Sequence, residues 1–143
     1  MLTLLYRSAA VWTALGLASG LYYREFTKAH DVAGGTQLAL THTHALALGT
    51  LTMLVLLALA AALDITDRWF RWGVIVWQAG LTLTFGAMLV KGSLQVLDSS
   101  DADSPALAGI AGLGHITLTV AFILLFVGLG SAVARVKAAA QSA

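Results

Sequence analysis

Thr36 to Leu63 reads TQLALTHTHALALGTLTMLVLLALAAAL, without one Asp, Glu, Lys or Arg. The uncharged stretch reaches back to Val32, and a second one runs from Ser104 to Ala134. Apolar runs of this length read as membrane-spanning helices. Yet the first holds His42 and His44, and the second holds His115. Ionisable side chains at membrane depth are expensive and mark a functional site. The chain has only four histidines, so three of them fall inside apolar spans.

Composition supports the same class. Of 143 residues, 59% are hydrophobic and 10% charged, and the mean hydropathy is +0.85. A soluble domain carries about 25% charged residues. The expectation is therefore an all-α integral membrane protein whose first partner is the lipid bilayer. Net charge is +1 and no basic cluster is present, which argues against nucleic-acid binding. The absence of cysteine excludes disulfides, thiolate ligands, iron–sulfur clusters and thioether-linked haem.

Working outward, four spans are expected, roughly 8–26, 36–63, 69–97 and 105–134, in one four-helix transmembrane domain. The first is the shortest, held between Arg7 and Arg24, and reads as a retained span rather than a cleaved signal peptide. Gly34-Gly35-Thr36 breaks the chain and can cap the second helix. The only proline, Pro105, suits the first turn of the fourth. Arg7, Arg68, Arg71, Arg135 and Lys137 gather at one end; Arg24 and Lys28 lie at the other, with Lys91 near it. That imbalance puts both termini in the cytoplasm.

With this topology His44, His115 and Lys91 fall in the outer half of the protein, His44 roughly 12 Å and His115 roughly 15 Å below the outer helix ends at 1.5 Å per residue. His42 and His44 diverge by about 200° on a helix, so they serve different neighbours. The spacing leaves open which one faces the interior. Gly49, Gly112 and Gly114 stand near the histidines, and bare backbone admits a flat ring. The same glycines also read as helix-packing positions.

Three functions compete. The first is a b-type haem protein: His115 with His42 or His44 as axial ligands, Gly49 and Gly112 beside the ring, and propionates near Arg24, Lys28 or Lys91. Two axial imidazoles favour electron transfer; an open position favours gas binding or redox sensing. The second is a copper or zinc site built from His42, His44 and His115. The third is a cofactor-free assembly subunit whose histidines only join helices.

The string Gln37-Leu38-Ala39-Leu40-Thr41-His42-Thr43-His44, with Gly109 to His115, resembles a small family of four-span bacterial membrane proteins of unassigned function. That resemblance implies a bacterial cytoplasmic (inner) membrane protein and no particular activity. The His42-Thr43-His44 spacing is also distantly similar to a four-helix unit of the haem–copper oxidase catalytic subunit, where such a pair ligates two haems from opposite helix faces. This chain lacks that subunit's adjacent histidines, so oxygen reduction is not implied. The likeness implies a homotrimer, three copies giving twelve helices.

Overall fold

The computed structural model describes residues 1–142, which fold into four long helices and one short 3-10 turn, with no strand among the described residues. Helix α1 is Leu2–Ala29, α2 is Leu38–Ala62, α3 is Arg68–Val96 and α4 is Pro105–Gln141. The 3-10 turn, Ser100–Asp103, leads from α3 into α4. Helices α2, α3 and α4 are long and apolar enough to cross a membrane. Helix α1 has 28 residues but is not one of these three, because Arg7, Arg24 and Glu25 interrupt its apolar stretch. Two helices outrun the spans read from charge. α1 starts at Leu2 rather than Ser8, and α4 continues past Ala134 to Gln141. Arginine and lysine limit burial in lipid but are good helix formers, so the helix need not stop where the apolar stretch does.

The helix ends follow local chemistry. Asp31, Asp64 and Asp98 follow α1, α2 and α3, each in the left-handed region with φ of 53°, 46° and 53°. A short polar side chain tolerates that conformation better than most. At the start of α3, Asp67 Oδ1 accepts the backbone N–H groups of Trp69 at 2.7 Å and Phe70 at 3.3 Å, a strong N-cap. Pro105 opens α4, where its missing N–H costs nothing. Thr36 does not cap α2 as expected: its hydroxyl is buried without a partner. The Gln37 N–H instead donates to Gln95 Oε1 of α3 at 2.7 Å.

Directly after His44, α2 widens into a π-helical stretch, Ala45–Leu51. Two carbonyls there accept side-chain donors: Leu48 from Trp77 Nε1–H at 2.9 Å and Ala47 from the Thr52 hydroxyl at 3.0 Å.

Helices α1, α2 and α3 touch one another, forming a triangle. Among the described residues, the backbone of α4 comes close only to α3 and the Ser100–Asp103 turn. The four helices thus do not close into a ring; α4 is set on the α3 corner of the triangle. Its seam with α3 is the most extensive contact in the molecule. Glycines make that seam close. Gly80 lies under Leu118, Gly114 against Thr84 and Gly80, Gly73 under Leu125, and Gly128 under Phe70. The α1–α2 seam is built likewise: Trp12 lies over Gly49, and Leu46 over Gly16. Trp12 Nε1–H donates to Gln78 Oε1 at 2.6 Å, and Gln78 Nε2 lies 3.0 Å from Met53 Sδ. This chain of contacts ties α1, α3 and α2 together in the core.

A Cβ at Gly114 meets Thr84 and the α3 backbone, whereas one at Gly112 meets open space. Gly114→Val is therefore expected to lose about 1–3 kcal/mol through overpacking, and Gly112→Ala to keep the wild-type stability. Unfolding midpoints in one detergent check the contrast.

Candidate functional site

The four histidines are held in two different ways. In His30, His44 and His115, Nδ1 lies 2.9, 3.0 and 2.8 Å from the carbonyl four residues earlier, on Phe26, Leu40 and Ala111. A carbonyl has no proton to give, so Nδ1 carries the hydrogen and donates it. In a neutral ring the lone pair then resides on Nε2. This is the tautomer and the outer hydrogen bond of a ligating histidine.

His42 is held differently. Thr41 Oγ1–H donates to the carbonyl of Leu38, four residues before His42, at 2.6 Å. His42 Nδ1 is buried with no partner, and its Nε2 has only Thr43 Oγ1 at 3.4 Å.

Azimuth separates the pair. His42 faces α1, its Cβ lying over Gly20. Leu38 faces α3, seated on Gly92. At about 100° per residue, passing round α2 from His42 through Leu38 leads on to His44, about 120° beyond Leu38. His44 therefore stands on the flank of α2 beyond α3, away from α1. That is the flank on which α4 is attached.

His115 comes from the opposite wall. It shares a face of α4 with Phe122, seven residues on. The Phe122 ring meets Trp77 edge-on at 4.6 Å between centroids, and Trp77 donates its N–H to Leu48 of α2. The His115 face of α4 thus looks towards α2. His44 and His115 thus stand on the same side of the bundle, each about 90° or more round its helix from the face packed on α3, in line with the exposed Leu51 and Val55 on α2 and Phe122 on α4.

Register places them at similar height. Call the end bearing residues 30–37 and 97–104 the upper end. Leu38 is level with Gly92, so His44 is level with about Gly86. Gly114 is level with the stretch between Gly80 and Thr84, so the two imidazoles differ by roughly 5–8 Å along the axis. His44 is half-buried and His115 exposed.

The remaining candidates separate cleanly. Lys91 is on α3, two turns above Thr84 on the same face, and its Nζ lies 3.4 Å from Asp103 Oδ1. Arg24 is on α1, pairs with its neighbour Glu25 at 3.6 Å, and is remote from the corner between α2 and α4. Gly49 does not line the corner, because Trp12 of α1 occupies the space above it. Gly114 is likewise consumed by the α3–α4 seam, while Gly112 faces open space on the outer side of α4. Among the described residues no three His, Cys, Asp or Glu side chains gather to hold a metal ion. The clefts between α1 and α3, of about 500 and 570 Å³, contain none of the histidines.

Sequence reading did not find Trp77. Its signal was an aromatic on a buried face, indistinguishable from packing until its indole N–H was seen to bridge to α2.

The architecture is that of an all-helical protein with three helices of membrane-crossing length and apolarity. The chain belongs to the family described as protein of unknown function (DUF2871), whose model matches residues 2–132. No curated protein and no solved structure matches it, and a relation to the haem–copper oxidase subunit is not shown.

The chain has no native cysteine, so the corner can be probed directly. In a His44→Cys/His115→Cys double variant, a short bis-maleimide is expected to join α2 to α4 within one chain. His42→Cys/His115→Cys should stay unlinked, because α1 covers position 42. Peptide mapping of the linked product reads the outcome.

Proposed function

We propose that this protein is a b-type haem protein of the bacterial cytoplasmic membrane, with His44 and His115 as axial ligands and electron transfer as its role. The observation that supports the reading is a pair of imidazoles on one side of the bundle, each with Nδ1 tied to a backbone carbonyl and Nε2 free. A bare copper or zinc ion needs three or four protein donors. A porphyrin supplies four nitrogens itself and asks the protein for two. Two imidazoles suit the second case. With both axial positions filled by histidine, the iron is suited to passing electrons rather than to binding gas. A haem held without a thioether bond, such as haem b, is the expected form because the chain has no cysteine.

His42 is assigned a different task, in the α1–α2 contact. Haem reconstitution of the purified protein, read by its Soret band, tests the assignment. His115→Ala and His44→Ala are each expected to lose the haem or convert it from low to high spin. His42→Ala should keep the wild-type spectrum. Unchanged spectra in both of the first two variants overturn the ligand assignment.

The proposal includes four membrane crossings, α1 among them, and three copies of the chain. A corner open on one side leaves the edge of a flat cofactor uncovered, and a neighbouring copy would cover it. Native mass measurement of the haem-loaded protein is expected to give three haems on three chains.

The Lys and Arg excess at the lower end supports an orientation with both termini in the cytoplasm. In intact cells a Ser100→Cys variant should react with an impermeant thiol reagent, and a Gln141→Cys variant should be protected. The reverse pattern inverts the orientation.

A further inference from the structure

Helices α1 and α3 both rise from the lower end, and Trp12 joins them through Gln78 and through an edge-on contact with Phe85. Beside that contact they leave a cleft of about 570 Å³. Val11 and Leu15 line it from α1, and Phe85, Gly86 and Leu89 from α3. Gln78 and Thr82 also reach it, but their polar groups are engaged. The Gln78 amide meets Trp12 and Met53, and the Thr82 hydroxyl donates to the Gln78 carbonyl. The wall therefore offers a ligand apolar surface. A Cβ built on Gly86 meets open space, so the cleft is unfilled at that point.

The foot of the cleft is cationic. Arg7 lines it directly. Arg71 lies seven residues below Gln78, within about 20° of the same face of α3. It lines the recess just beneath together with Leu4. Leu4 is three residues before Arg7, so the two arginines stand about one helical turn apart in height. Both are exposed. Among the described residues neither guanidinium has an ion pair or a hydrogen bond. Asp67 shares the recess, but its Oδ1 already accepts two backbone N–H groups at the start of α3.

An apolar cleft above two unpaired guanidinium groups matches a molecule with an apolar chain and an anionic head. From Arg7 to Leu15 the cleft rises about 12 Å, and the hydrocarbon of one leaflet is about 15 Å deep. The cleft is thus one leaflet tall, with its cations at headgroup level. Basic pockets between membrane helices hold anionic headgroups, and a guanidinium fork fits a phosphate. A second copy of the chain is a poorer match. Its helices α2 and α4 contain no Asp or Glu, so either one seated here would leave both arginines without a counter-ion.

We propose that this cleft holds one anionic phospholipid, its phosphate between Arg7 and Arg71 and one acyl chain against Val11, Leu15, Phe85 and Leu89. The site requires α1 to cross the bilayer beside α3 and is independent of haem.

The experiment strips the full chain of lipid in a mild detergent. It is then titrated with phosphatidylglycerol and with phosphatidylcholine of identical chains, and bound lipid is counted by native mass measurement. The wild type is expected to hold one phosphatidylglycerol per chain and to prefer it by on the order of tenfold. Arg7→Gln/Arg71→Gln should lose the preference, and Arg7→Lys/Arg71→Lys should keep part of it. Gly86→Leu should weaken both lipids alike, because its side chain fills the cleft. Glycerol phosphate, a head without a chain, should not bind. Unchanged unfolding midpoints report that the variants are folded. Equal binding of the two lipids by the wild type overturns the proposal, as does a preference that survives loss of both arginines. Undiminished phosphatidylglycerol binding in Gly86→Leu overturns it too. Loss of self-association in Gly86→Leu does the same and assigns the cleft to a second copy. Binding of neither lipid removes the site and leaves the haem reading standing.

Discussion

The close approach of α3 and α4 determines where the rest of the chain can stand. Lipid tails are as apolar as leucine, so helices in a bilayer gain little from hiding apolar surface from one another. They associate where backbones come near enough for many weak contacts. Gly73, Gly80, Gly114 and Gly128 provide that nearness along the whole seam. Once α4 is committed to this face of α3, it has none left for α1. The triangle of α1, α2 and α3 then closes without it, and a corner opens between α2 and α4. His44 and His115, each with Nδ1 in hydrogen-bond reach of a backbone carbonyl, stand on this side of the bundle.

Tryptophan connects the two halves. An indole N–H buried in an apolar interior must find an acceptor. Trp12 finds Gln78 across the α1–α3 contact, and Trp77 finds the Leu48 carbonyl across the α2–α3 contact. Each bond fixes an angle as well as a distance. Trp77 does so while its ring supports Phe122 of α4, so one side chain touches all three helices that bound the corner.

Helix positions were legible in the sequence because charge marks the ends of apolar runs and Asp, Gly and Pro punctuate the loops. The position of each histidine along its helix was legible too, since it is only a count of residues. Neighbourhood was not. Periodicity says that His42 and His44 diverge, but nothing local says which helix each one meets. That depends on Gly20 and Gly92, far away in the chain. Gly49 shows the same limit: beside a histidine pair it reads as room for a ring, and only the position of Trp12 reveals it as a packing site. The π-helical stretch also escaped the sequence, because no pattern in Ala45 to Leu51 marks a widened turn.

That widened stretch divides α2 into two rotors on one shaft. Above it, Leu38 to His44 is phased by Gly92 and Gly20; below it, Thr52 to Ala62 is phased through Met53 and the rest of the core. A regular α-helix would rigidly gear the two, and any adjustment below would swing His44 by the same angle. A turn with i→i+5 bonding holds one residue more than an α-turn, so it absorbs angular error between the two portions. Deletion of a single residue between Ala45 and Leu51 would be felt far more than its size suggests.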